Sequence, residues 1–290
     1  MRAAGSIAKS LTGKNATTAH GYVTIAKIGL SKLNAWSKNG IQDDVVFRSY
    51  VKEITEAIQG GLQHFPDDPY LRAAEAQLSD FIEQDAKAIE SLRRAFLSNK
   101  ASPFIAKSLA RHYERNRDLI KALNVLEECL DALPRDKSVN AALAQLLTDH
   151  FLNEGVKAEM YWRRSFTEGD TNYSNQFWYA RQLFINLERP EASARFELLK
   201  TMRVDPNVKH KSRGMLRNGD GSIQLFHGQV STVDATYALI SVDGESYSVY
   251  VSRTAIDDET WRVLAHGRRV NFNVGFNYYG LTAVRLQLDH

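Results

Sequence analysis

From Pro69 to Pro206 the apolar residues recur at intervals of three and four, which predicts a succession of amphipathic helices. The stretch 103–134, PFIAKSLARHYERNRDLIKALNVLEECLDALP, sets the pattern. Leu109, Ala110 and Tyr113 fall on one helix and Ala122, Leu126, Cys129 and Leu130 on the next, with Pro134 as the stop. Ala110 and Ala122 lack bulk, so two backbones can approach there, while Leu126 and Leu130 form an apolar ridge one turn apart. The frame predicts further units. One starts at Pro69 (Ala76, Ala88, Leu92, Ala95), one at Lys137 (Leu143, Ala144, Leu147, Val156, Met160) and one at Asn175 (Trp178, Ala194, Leu198, Pro206). The offsets are 34, 34 and 38 residues, and an incomplete unit with Ile54, Ile58, Leu62 and Pro66 precedes them.

After Pro206 the period changes. The segment NVKHKSRGMLRNGDGS has no helical stripe, carries Lys209, Lys211, Arg213 and Arg217, and reads as a basic linker. Five short alternating runs follow: HGQVSTV, TYALISV, YSVYVS, RRVNFNVGF and LTAVRLQL. Turn residues such as VDGES and NYYG separate them, and five strands in so short a span predict a small closed barrel. Alternation turns Ala238, Ile240, Val242, Val249 and Val251 inward and leaves Tyr237, Leu239, Ser248, Tyr250 and Ser252 outward.

The helical part resembles the tetratricopeptide repeat, a pair of antiparallel helices with small residues where they touch. Lys100 stands where that family usually has a helix-ending proline, Arg163 where it has a small residue and Gln182 where it has Gly or Ala. The resemblance implies an α-solenoid whose groove, lined mostly by first helices, binds peptides or partner proteins. Lys107 and Arg111 share one face of such a helix and could grip a carboxylate of a partner; the alternative is a solvated face with Glu114 nearby.

The last part resembles the cold-shock domain, an OB-fold barrel, over roughly Gly228 to Leu288. The matching residues are Thr254-Ala255-Ile256 after the third strand, Gly267, Val270 and Phe272 in the fourth, and Gly280, Ala283 and Leu286 near the last. In that family the outward positions of the second and third strands carry rings on which unpaired bases stack. Tyr237 and Tyr250 keep rings there, whereas Leu239, Ser252, Arg253 and Thr232 replace the family's aromatics or histidine. The resemblance therefore implies a thinned platform, with Arg253 stacking or meeting a phosphate and Phe276, Tyr278 and Tyr279 widening it. The layout as a whole resembles the C-terminal part of large signalling P-loop ATPases, including bacterial defence proteins and the sterile-alpha-motif-containing antiviral factors of animals.

Charge changes this picture little. The chain of 290 residues carries a formal +3, and from Ser222 onward five arginines and no lysine face seven acids. The barrel lacks the basic face of a nonspecific phosphate binder, so stacking has to carry any contact with bases, helped by the linker cations Lys209, Lys211 and Arg213. A single cysteine, Cys129, excludes an internal disulfide and suits a reducing cytoplasm. The basic opening residues hint at a targeting peptide, but Lys9, Lys14 and His20 interrupt any apolar core, and no run approaches the roughly 20 apolar residues of a membrane span.

No catalytic constellation stands out. In GSIAKSLTGKNATT seven residues separate Gly5 from Gly13 and Asn15 follows Lys14, so the spacing of a phosphate loop is missing. His64, His112 and His150 each lack a second metal ligand one turn away. The expectation is an α plus all-β chain of two folded parts. Residues 1–44 form an N-terminal helical segment of open character, 45–206 a TPR-like α-solenoid, 207–221 a basic linker and 222–290 a five-stranded cold-shock-like OB-fold barrel. Its expected function is that of a non-enzymatic, cytoplasmic adaptor without metal or cofactor, taking RNA or single-stranded DNA on the barrel and a protein in the groove. The alternative is a protein–protein scaffold or regulatory tail of an ATPase signalling system.

Overall fold

The computed structural model describes residues 12, 17–38, 44–82 and 85–289. The phosphate-loop comparison over Gly5–Asn15 lies almost wholly outside these residues. Two compact units divide the chain between Leu143 and Ala144.

The first unit is built of antiparallel helix pairs. α1 (His20–Lys38) packs on α2 (Asp44–His64), α3 (Pro69–Phe81) on α4 (Asp85–Ser98), and α5 (Pro103–Arg115) on α6 (Leu119–Ala132). The unit expected to be incomplete is thus a pair: Ala26, Leu30 and Leu33 of α1 bury Ile54 and Ile58 of α2. Lys100, standing where a proline was expected, lies in the turn after α4, and its ammonium meets Glu128 at 2.8 Å. α7 (Lys137–His150) crosses the unit boundary, and α8 (Gly155–Arg164), α9 (Tyr173–Ile185) and α10 (Arg189–Thr201) continue the helical part in the second unit.

Small residues mark where each pair closes. Ala76, Ala110, Ala144 and Ala180 on first helices and Ala88, Ala122, Ala158 and Ala192 on second helices are all buried. This corrects the expected register of the last two units. Val156 is 80% exposed and Leu198 51% exposed, and Ala194 is exposed as well. The cause is local: a 3-10 turn, Leu152–Glu154, precedes α8 and adds two residues between Ala144 and Ala158. Every later position shifts by two, so α9 begins at Tyr173 rather than Asn175, and Ala180 rather than Gln182 holds the small position. Beyond the insertion the 34-residue spacing returns, from Ala158 to Ala192 and from Trp162 to Phe196.

The second unit ends in a closed barrel of strand order β1-β2-β3-β5-β4, which is OB-fold order. The strands are β1 (Leu225–Val233), β2 (Tyr237–Val242), β3 (Ser248–Ser252), β4 (Arg269–Asn277) and β5 (Gly280–Leu288), all within a few residues of the expected runs. β3 and β5 run parallel and the other pairs antiparallel. Alternation places Val230, Ala238, Ile240, Val249, Val251, Val270, Phe272 and Val274 in its core. Gly228 lets β1 approach closely, since a Cβ there would collide with the Ser241 carbonyl oxygen. A short helix, α12 (Asp258–Val263), bridges β3 to β4 and sets Trp261 against that core.

The basic segment between helices and barrel is packed rather than a loose spacer. It opens with α11 (Pro206–His210), and Arg213 then bridges to Phe276 at the end of β4. Gly214 adopts a positive φ of 61°, and a side chain there would run into Arg181 and Trp178. The end of the barrel beside this segment lies on α9 and α10. Phe276 stacks on Phe196 (centroids 6.0 Å apart, 15°) and meets Phe184 edge-on at 5.3 Å. Tyr278 stacks on Phe177 at 5.3 Å, and Arg189 lies over both Phe184 and Tyr247.

The corrected register predicts opposite outcomes for two neighbouring alanines. Ala192→Leu is expected to destabilise by about 1–3 kcal/mol through overpacking, whereas exposed Ala194→Leu stays within about 0.5 kcal/mol of the parent; chemical denaturation reads both. Phe276→Ala removes a fully buried ring and is expected to cost about 3–5 kcal/mol. Limited proteolysis should then cut residues 206–221 first, and an unchanged pattern would show that the ring does not hold this segment.

Candidate functional site

The outer face of β2 and β3 carries the expected platform residues. Pairing sets Tyr237 opposite Ser252 and Leu239 opposite Tyr250, so the two tyrosines are diagonal neighbours. Their ring centroids lie 5.6 Å apart with planes at 18°, and both side chains are half-buried. An irregularity in β1 between Val230 and Thr232 brings Thr232 opposite Leu239. The face is therefore a pair of near-parallel tyrosine rings bordered by Leu239 and Thr232, with water reaching the rings.

The other expected contacts are differently employed. The Ser252 hydroxyl accepts from the Thr254 amide and caps the 3-10 turn Arg253–Ala255. That accounts for a small polar residue at the end of β3. Arg253 pairs with Asp258 and lies over the Trp261 ring at 5.3 Å, so its guanidinium is held beside α12. Trp261 itself is half-buried and adds an aromatic neighbour that strand alternation did not single out, because it lies on a helix between strands.

Tyr278 does not widen an exposed platform. It is 3% exposed, pressed on Phe177 and covered by the Arg213 guanidinium at 5.0 Å, and burial pushes its phenol above the usual tyrosine range. Phe276 is buried with it, and only Tyr279 of that group stays exposed, tilted against His210 at 4.8 Å. Of the linker cations, Arg213 caps the Val208 carbonyl oxygen at 2.6 Å and Lys209 donates to the Lys200 carbonyl oxygen at 2.7 Å. Lys211 is exposed. Of the three linker cations expected at the barrel, Lys209 and Arg213 are thus engaged by backbone carbonyls and Lys211 is the exposed one.

In the first unit, Lys107 is half-buried and Arg111 exposed on α5. Burial opposes ionisation of nearby Asp136, but hydrogen bonds from Ser138 and Val139, aided by the Lys107 charge, hold its carboxyl below the usual range. One turn before Lys107, Phe104 stacks on Tyr70 of α3 at 6.1 Å with both rings exposed, and the Lys27 ammonium lies 5.0 Å over Tyr70. The first helices therefore present an aromatic pair beside three cations, a feature the apolar period hides because these rings are outside its buried stripe.

Aligned on the small residues, Lys107, Arg111 and Glu114 of α5 correspond to Phe177, Arg181 and Phe184 of α9. Those three are buried, and they are the residues on which the barrel and linker rest. In the last repeat the stripe expected to hold a partner is filled by the chain's own barrel.

Among the described residues no group of three or more His, Cys, Asp or Glu side chains could hold a metal ion, and no helix is long and apolar enough to cross a membrane. Cys129 is buried, and burial raises its thiol above the usual range.

No family model matches the sequence, and no curated protein does. Solved structures are similar to the chain over part of its length. PilF of Pseudomonas aeruginosa is 16% identical, with 61% of this chain and 76% of that one covered and a TM-score of 0.46. A tetratricopeptide repeat protein from Parabacteroides merdae is 13% identical over 70% of this chain and 74% of that one, at 0.45. The human IFIT1 dimer with PPP-AAAA is 15% identical over 70% of this chain and 46% of that one, at 0.47.

Proposed function

We propose that the chain is a non-enzymatic adaptor that takes unpaired nucleic-acid bases, RNA or single-stranded DNA, on the barrel and a protein segment on the free first helices. The observation that carries the reading is the Tyr237–Tyr250 pair, two near-parallel rings left half-buried, and so partly accessible, on the outer sheet face. Aromatic faces hold unpaired bases with about 1–3 kcal/mol each and little sequence preference. The position of the pair on β2 and β3 is the one that the cold-shock resemblance assigns to base stacking.

Charge supports a weak, stacking-led contact. Arg253, which follows Tyr250 and Ser252 on the chain, has its charge engaged by Asp258, so the arginine nearest the rings in sequence is already paired. A small salt dependence follows, because few phosphates are neutralised. For the protein arm, exposed Tyr70 and Phe104 supply apolar area, and Lys27, Lys107 and Arg111 supply charge that suits an acidic segment.

Fluorescence anisotropy with short labelled single strands tests the barrel arm. Tyr237→Ala/Tyr250→Ala is expected to weaken binding by about tenfold or more, as the loss of one to two stacked bases requires. If the parent chain binds no oligonucleotide at low salt, the barrel is a protein-docking module and the scaffold reading replaces this one. For the groove arm, Lys107→Glu/Arg111→Glu should reduce binding of an acidic peptide library while leaving oligonucleotide binding intact. Equal loss on both probes would mean that the pair supports the fold instead.

A further inference from the structure

Among the described residues, one buried charge in the second unit is held in no ion pair. Arg181 lies on α9, 7% exposed, and among the described residues no carboxylate forms an ion pair with it. Its Nε donates to the Gly214 carbonyl oxygen at 2.7 Å and its Nη2 to the Met215 carbonyl oxygen at 3.4 Å. The Trp178 and Phe276 rings lie 5.5 and 5.7 Å from the guanidinium carbon. A guanidinium carries five N–H donors, so these bonds leave donors over. Burial drags its pKa down to about 10; Asp149 acts against that only at longer range, and its carboxylate already accepts from Gln145 at 2.7 Å.

Arg181 lines a cavity of about 200 Å³ between the end of α7, the first turn of α8, α9 and residues 216–219. Thr148, Asn153, Gln182, Arg217 and Asn218 share its wall, so a second guanidinium borders the same space. Arg217 is exposed, and one of its nitrogens is anchored on the Gly221 carbonyl oxygen at 2.6 Å. Two like charges placed together, one of them desolvated, are costly unless an anion joins them, because buried charges in folded proteins are paired. The size sets the ligand class. The cavity is larger than one water of about 30 Å³ and smaller than the roughly 300–1,000 Å³ of sites for drug-sized molecules.

We propose that this cavity is an oxyanion site that takes a phosphate-sized group between Arg181 and Arg217. It is separate from the tyrosine face of the barrel, and the proposal stands whether or not that face binds bases. A bound anion would join α9 to the segment that leads into the barrel, so occupancy stabilises the second unit. The rival account is that Arg181 only braces the Gly214 turn, in which case the cavity holds water.

Calorimetric titration of the full chain with inorganic phosphate, against sodium chloride of equal ionic strength, decides between them. Saturable binding is expected at millimolar concentration or below, with a rise in Tm that chloride does not give. Arg217→Gln and Asn153→Asp leave Arg181 in place. Each is expected to weaken the binding by about tenfold, since charge-assisted hydrogen bonds contribute on the order of that factor. A second titration with methyl phosphate separates the sources. If it binds as phosphate does, the site takes a phosphate monoester; if it fails, the site takes the free ion. No saturable heat up to about 10 mM phosphate, a range corresponding to only about 3 kcal/mol, overturns the proposal, as does binding that both variants leave unchanged.

Discussion

A helix with apolar residues on every side has to be buried on more than one side, and α9 is such a helix. Within SNQFWYARQLFIN, Ala180 and Leu183 take up the positions that close a helix pair, while Phe177 and Phe184 point to another stripe of the same cylinder. That second stripe needs a cover of its own. The barrel provides it through Phe276 and Tyr278, the linker through Arg213 and Gly214, and α10 through Phe196. Ring upon ring, this contact fixes the last helix pair, the connecting segment and the barrel as one compact body. The residues it uses occupy the positions that stay partly in water on α5.

The consequence for function is a division of labour between like positions. On α5 the stripe holds Lys107, Arg111 and Glu114, polar and partly in water. On α9 the same positions hold Phe177, Arg181 and Phe184, buried under the chain's own C-terminal part. A change from charge to ring converts a stripe partly in water into an internal seam. Arg181 is the residue that keeps its type across this change and loses its water, and a buried guanidinium is the feature most in need of an anion.

The barrel shows a similar separation between its two ends. Where β4 turns into β5, aromatic residues serve the seam, and burial there raises the Tyr278 phenol above its usual range. On β2 and β3 the Tyr237–Tyr250 pair has no such cover. The same residue type, a few strands apart, is structural in one place and available in the other. Arg253, which sequence alone would offer to a phosphate, is turned toward Asp258 and Trp261 by the short helix that follows β3.

Local pattern was enough for the elements themselves. The five strands, the inward set from Ala238 to Val251 and the helix pairs from Pro69 to Ala132 all follow from periods of two and of about 3.6, which neighbouring residues set. The two-residue slip in the last repeats was harder to see, because a 3-10 turn at Leu152–Glu154 leaves the helical period intact on either side and changes only the phase. The excess of rings in α9 was a visible sign of a second buried face, but no local period says what covers it. That required bringing Phe276 and Tyr278 to Phe177 across about a hundred residues of chain. Which tyrosines meet water, and which arginine is shut away from it, is decided by such distant contacts, because burial belongs to the assembled surface and not to any segment of it.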